Sequence, residues 1–352
     1  MKVLMKNAKK NKMESTKRLT LWIVMFFLIV SMVSLVPKAE AQGKLSGLVY
    51  ADYSFVGAHH VEEFESKNAF WVRRVYFTYD HTLSESWKLR VRFEANSKGD
   101  YRSMETIDPY VKDLYVQYSM ENNSLLFGLS GTPTFGQIEK VWGYRSVEKT
   151  PLDLYKMADS RDFGIAVKGD VANKKVYYHI MLANGEDKKS EFNKQKKVYG
   201  ALGFSPVKEA YFEFYADFAS GPEADTDIYT VQGFASYTHE KFRAGIQYSH
   251  QIHQDPIEKF DLDIASVFAC FKLSEKAEVL ARFDRMFDPN PVGANISYTP
   301  FDPTSPFNMF LAGIGIKLVE NVEFIPNIQF VSYDDNGGNN DLYTKFTLYY
   351  RW

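Results

Sequence analysis

The stretch that decides the fold is Asp341-Leu342-Tyr343-Thr344-Lys345-Phe346-Thr347-Leu348-Tyr349-Tyr350-Arg351-Trp352. In steps of two, Leu342, Thr344, Phe346, Leu348, Tyr350 and Trp352 share one face, and Tyr343, Lys345, Thr347, Tyr349 and Arg351 share the other. Strict alternation of this kind marks a strand with one apolar and one polar face. The strand runs to Trp352 and so finishes on an aromatic ring. A fraying end in a soluble domain gains little from such a ring. A barrel pairs its last strand with its first, loses its free edge, and sets outward aromatics at the membrane boundary. An edge strand of a soluble sandwich fits the same stretch, so the remainder of the chain decides.

The chain has 352 residues, enough for two or three soluble domains or one large barrel. Its mean hydropathy is −0.32, yet aromatics make up 16%, with 23 Tyr and 28 Phe. Polar on average but rich in aromatics is the composition of a barrel in which only alternate residues meet lipid. The single cysteine, Cys270, excludes an internal disulfide and lies in a strand-like run, where it reads as a small packed residue.

The one long apolar run, Leu19 to Val36, follows Lys9, Lys10, Lys12, Lys17 and Arg18 and precedes Ala39-Glu40-Ala41. That order reads as a secretory signal peptide over residues 1–41, cut after Ala41, with Met1 or Met13 as the start. An uncleaved helical anchor is the other reading of the run. The mature chain is then 42–352. Removing the leader's eight bases and two acids from 42 and 44 leaves 34 and 42, a net charge of −8. So acidic a chain is not a general nucleic-acid binder.

Along the mature chain about sixteen strand-like segments appear, most near the ~9–11 residues that a membrane strand needs. Trp87, Leu89, Val91, Phe93 and Ala95 alternate cleanly with Lys88, Arg90, Arg92 and Glu94. Arg73 breaks the alternation of its strand, and faces lipid unless it lies at the outer rim or on a bulge. The connections alternate short and long from end to end. The expected fold class is therefore all-β: a transmembrane, antiparallel, up-and-down barrel of about 16 strands, with short periplasmic turns and long extracellular loops. The longest irregular segment is residues 131–160. Its Pro133, Phe135, Trp142, Tyr144 and Pro151 make it too aromatic for a disordered segment.

Catalytic motifs are absent: there is no Gly-x-Ser-x-Gly, no phosphate-cradling glycine loop and no His-Glu-x-x-His. His59-His60 reads as an exposed pair without a carboxylate cage, so no metal and no cofactor is expected. The expected lumen wall carries Arg74, Lys88, Arg90, Arg92 and Lys168 as bases. Its acids are Glu94, Glu213, Asp217 and Glu323. Two readings of these charges stand side by side. A basic column biases a pore toward anions, whereas walls of both signs keep it wet without net selectivity.

Several short stretches, in order and spacing, resemble bacterial outer-membrane porins of the phosphate-selective porin O and P type. They include Arg73-Arg74-Val75, the Leu83 to Trp87 turn, and Val111-Lys112-Asp113-Leu114-Tyr115-Val116. Further on come Gly128 with Thr132-Pro133, Arg161-Asp162-Phe163-Gly164-Ile165, and Ala183-Asn184-Gly185. Arg282-Phe283-Asp284-Arg285 and Asp288-Pro289-Asn290 complete the set. The resemblance implies a sixteen-stranded barrel, usually trimeric, with residues 131–160 folded into the lumen. Pro133, Phe135, Trp142, Tyr144, Arg145 and Lys149 then belong to a constriction. The chain departs from the family in its acidic balance and in Trp352 where Phe is usual. The expected function is passive diffusion of small hydrophilic solutes, phosphate or other inorganic anions among them. The expected partners are outer-membrane lipid, lipopolysaccharide and two further copies of the chain. The alternative is a non-conducting barrel whose loops bind a ligand or a surface partner.

Overall fold

The computed structural model describes residues 43–352, apart from 192, 222–225, 255–258 and 336–338. The expected signal peptide, 1–41, lies outside the described residues. Sixteen strands form one closed barrel, each hydrogen-bonded to its neighbours in sequence and the last to the first. They are β1 (Gly43–Ala58), β2 (Asn68–Thr82), β3 (Trp87–Ala95), β4 (Tyr110–Met120), β5 (Asn123–Gly131), β6 (Arg161–Val171), β7 (Val176–Ala183) and β8 (Lys197–Phe204). The second half comprises β9 (Ala210–Ala219), β10 (Ile228–Thr238), β11 (Phe242–His253), β12 (Phe260–Lys272), β13 (Ala277–Met286), β14 (Phe307–Val319), β15 (Val322–Tyr333) and β16 (Asp341–Arg351). β3 has the limits that its alternation predicts.

One rim holds connections of two to five residues, and the other holds connections of six to 29. At the seam, β1 pairs with β16 from Leu48↔Arg351 to Ala58↔Leu342. Gly47 and Trp352 exchange backbone hydrogen bonds, each 3.1 Å. The terminal aromatic is therefore tied at both its N–H and its C=O.

The two faces separate as the two-residue period demands. On β16, Phe346, Leu348 and Tyr350 are exposed on the outside, while Tyr343, Lys345 and Thr347 are buried inside. Phe77, Phe93, Phe127, Phe214 and Ile246 extend the exposed apolar surface around the cylinder. A belt of this extent needs a non-aqueous neighbour. Arg73 sits on a bulge: Tyr50 pairs with Arg74 and Ala51 with Val72, which leaves Arg73 as the extra residue. Arg73 turns inward with Arg74 and reaches Asp52 at 2.5 Å.

The segment between β5 and β6 is not irregular throughout. It contains helix α1 (Gly136–Trp142) and the single turn α2 (Pro151–Leu154). The inner wall beneath it is apolar. Leu262, Ile264, Phe268 and Cys270 of β12 and Met309 and Leu311 of β14 pack with Trp142 and Leu152 in one buried cluster. Cys270 is buried there, its Sγ 3.9 Å from the Trp142 carbonyl oxygen.

Gly128 marks a close approach of two strands. Its φ is +128°, and a Cβ there would lie 2.3 Å from the Leu114 carbonyl oxygen and 2.8 Å from the Tyr115 Cα. Both obstacles are backbone, so β4 and β5 would have to part. Gly200 has nothing within 4 Å of the same position. Gly128→Ala is expected to lower the thermal unfolding temperature, the left-handed backbone alone costing about 1–3 kcal/mol, while Gly200→Ala leaves it unchanged. Heat-dependent migration of folded and unfolded protein on detergent gels measures both. Equal behaviour of the two variants would contradict this pairing of β4 with β5.

Candidate functional site: the lumen and its inward segment

The segment 131–160 lies within the cylinder, because side chains from several walls reach it. Arg73 of β2 donates to the carbonyl oxygens of Val147, at 2.6 Å, and Ser146. Gln232 of β10 donates to Thr134 at 3.2 Å, and Gln251 of β11 donates to Met157. Arg282 of β13 donates to the Lys149 carbonyl, and Lys345 of β16 pairs with Glu148 at 3.6 Å. A segment without a sheet partner has carbonyls that need donors, and buried carbonyls without them are costly. In this lumen the wall supplies Arg and Gln side chains.

Local sequence explains the two helices. Ile138 and Trp142, four apart, put one apolar stripe of α1 on the wall, and Gly143 ends the helix with φ +73°. Pro151 opens α2 at a position where its missing N–H costs nothing. Trp142 packs edge-on to Phe268 at 5.1 Å. Tyr155 donates its hydroxyl to Asp284 at 2.8 Å and packs against the stacked pair Phe301 and Phe307.

These contacts divide the six predicted constriction residues. Pro133, Phe135, Trp142 and Tyr144 are buried and anchor the segment. Arg145 and Lys149 reach a cavity of about 300 Å³ between the segment and the β1–β4 wall. Arg145 pairs with Glu139 and Asp153, each at 2.7 Å, and Lys149 lies 3.6 Å from Asp153. Burial favours the neutral acid at Asp153, but Lys149, Arg145 and Arg74 outweigh it and hold its carboxyl below the ordinary range. At Glu148 burial likewise opposes charge, and Lys345 and Arg73 overcome it.

The basic column is paired rather than bare. Arg74 meets Glu94 at 2.9 Å, and Lys112 reaches the same carboxylate at 2.8 Å. Arg92 meets Asp113 at 3.1 Å, and Arg161 shares that acid. Arg90 and Asp80 form a two-bond fork at 2.6 and 2.9 Å. Lys88 and Lys168 have no ion pair among the described residues. Glu94 thus belongs to the basic cluster. Of the other acids, Asp217 pairs with Lys197 at 3.2 Å, Glu213 accepts from Tyr211, and Glu323 lies at a second cavity near the short-connection rim. Arg73, Lys112, Asp113 and Lys345 were not foreseen as site residues. The Arg73-Arg74 doublet was a visible sign, since two successive arginines in a strand call for a bulge or a rim.

A second cluster lies at the long-connection rim. There His59 and His60 correct the expectation of an exposed pair without a carboxylate. His59 is buried, and both rings face Asp341. Burial pushes the His59 imidazolium down to about 4.

No family model matches the chain, and no curated protein matches it in sequence. Solved structures match over nearly all of the described residues. An anion-selective porin from Comamonas acidovorans is 12% identical with a TM-score of 0.68, over 88% of this chain and 99% of that one. The outer membrane channel DcaP of Acinetobacter baumannii is 10% identical with a TM-score of 0.62, over 88% and 97%. OmpT of Vibrio cholerae, in a trimer form, is 12% identical with a TM-score of 0.60, over 88% and 99%. Identities this low establish the fold alone, and that fold is the sixteen-stranded barrel of bacterial porins.

Proposed function

We propose that the protein is an outer-membrane channel through which small hydrophilic solutes diffuse passively, with a modest preference for anions. The carrying observation is the charged cavity left between the docked segment 131–160 and the β1–β4 wall. Its lining holds seven bases (Arg73, Arg74, Lys112, Arg145, Lys149, Lys156 and Lys188) against five acids (Glu94, Glu148, Asp153, Asp159 and Asp187). Seven against five leaves an excess of two positive charges, against a mature chain of net −8. Fixed charges at a constriction bias permeation by their local sign, whatever the charge of the whole protein. Inorganic phosphate falls within the solutes this lining admits. Nothing in the lining singles it out from other small anions. The exposed apolar belt supports lipid and lipopolysaccharide as the barrel's surroundings, and assembly as a trimer is part of the same proposal.

A second reading is favoured by one observation. Tyr298, on the connection 287–306, bonds through its backbone N–H to Gly99 at 2.6 Å, on the connection 96–109. These connections start far apart on the ring and meet over the long-connection rim. A barrel roofed in this way could bind a ligand without conducting. Single-channel recording separates the two: discrete open steps support the channel, and their absence supports the binding barrel.

Two outcomes follow from the lining. Lys149→Glu with Lys188→Glu changes the excess from two positive to two negative charges. The reversal potential in a salt gradient across a planar bilayer should then change sign, and an unaltered potential would end the anion reading. Trp142→Ala removes the largest anchor of the segment, a truncation that costs roughly 3–5 kcal/mol at buried sites. Conductance and the size limit for sugars in liposome swelling should both rise. Unchanged values would show that this segment does not restrict the pore.

A further inference from the structure

We propose that His59, His60 and Asp341 form a binding site for a divalent first-row transition-metal ion at the seam where the first and last strands meet. The proposal does not depend on whether the barrel conducts. His60 Nδ1 lies 3.0 Å from both carboxylate oxygens of Asp341. His59 Nδ1 lies 3.9 Å from one of them but accepts the Val61 N–H at 2.9 Å, which leaves Nε2 as the atom this ring offers an ion; one ligand atom from each of the three residues falls within 4.8 Å of the others. Ligands around one ion at ~2.0–2.1 Å must lie within about 4 Å of each other. The His60–Asp341 pair already satisfies this.

The surroundings resemble those of a ligand set held ready. Asp341 is fully buried, and its carboxylate takes the His60 backbone N–H at 2.6 Å and the Tyr333 hydroxyl. Such outer contacts orient a metal ligand. His59 is 4% exposed, and its Nε2 has no hydrogen-bond partner among the described residues. A buried polar atom left unpaired is costly, and reorienting the ring onto an ion would remove that cost. The His60 side chain is 8% exposed, so the cluster is nearly closed and the three residues would supply most of an ion's coordination. Two imidazoles with one carboxylate suit Zn²⁺, Ni²⁺ or Cu²⁺. Ca²⁺ and Mg²⁺ prefer oxygen-only sets.

The position gives the ion a consequence. His59 and His60 follow β1, Asp341 opens β16, and Tyr333 closes β15 while accepting the Asp302 N–H at 3.1 Å. A bound ion would therefore clamp the closing seam and the connection 287–306 together.

The test uses the untagged full chain, folded in detergent, stripped with chelator and offered Zn²⁺. The native protein is expected to retain one Zn²⁺ per chain after gel filtration, with two imidazoles in its X-ray absorption spectrum and a raised unfolding temperature. His60→Gln should weaken binding at least about tenfold and abolish the thermal shift while keeping the native circular dichroism. Asp341→Asn is the second variant. Because Asp341 is fully buried, His60→Gln decides if Asp341→Asn fails to fold. The proposal is overturned if the native chain retains less than one Zn²⁺, or if His60→Gln binds it as tightly as the native chain. The trio would then be only a hydrogen-bonded knot at the rim.

Discussion

Every backbone N–H and C=O of the sheet must find a partner, and a sheet without edges meets that demand without water. The pairing of β1 with β16 provides the closure. Once the ring is closed, each strand has one face outside and one inside, and the two-residue period sorts the side chains between them. The apolar exterior, the charged interior and the placement of all connections at two rims follow from that sorting.

The interior has its own problem, which the inward segment both creates and answers. A chain segment crossing a lumen carries carbonyls with no strand beside them. Arg73, Gln232, Gln251 and Arg282 reach those carbonyls from four different strands. Among these donors, on β12 and β14, the wall turns apolar, so that Trp142 and Leu152 bury as they would in a soluble core. The lumen is thus partly a wet, charged cavity and partly a dry interface. This division explains why four of the six residues assigned to the constriction are anchors and two face solvent.

Much of this was legible in the sequence because the barrel has a period of two. Trp87–Ala95 could be delimited to the residue, and the alternation of short and long connections placed the rims. What escaped was whatever broke the period or joined distant positions. Arg73 looked misplaced because a bulge inserts a residue that no alternation counts. Helix α1 was hidden in a loop, although Ile138 and Trp142 at helical spacing, and Thr150-Pro151 ahead of α2, were signs of it. His59 and Asp341 are brought together only by closure of the ring, and no local pattern connects them. The pairing of Arg74, Arg90 and Arg92 with acids on neighbouring strands depends on register, which the sequence left open.

The central claim is that consecutive residues of one strand meet lipid and water in turn. Nitroxide side chains at positions 88 to 93 of β3, in a Cys270→Ser background reconstituted into liposomes, test it directly. Collision with oxygen should peak at positions 89, 91 and 93, and collision with a water-soluble nickel chelate at 88, 90 and 92. Two curves that rise and fall together, or chelate access at all six positions, would contradict the account.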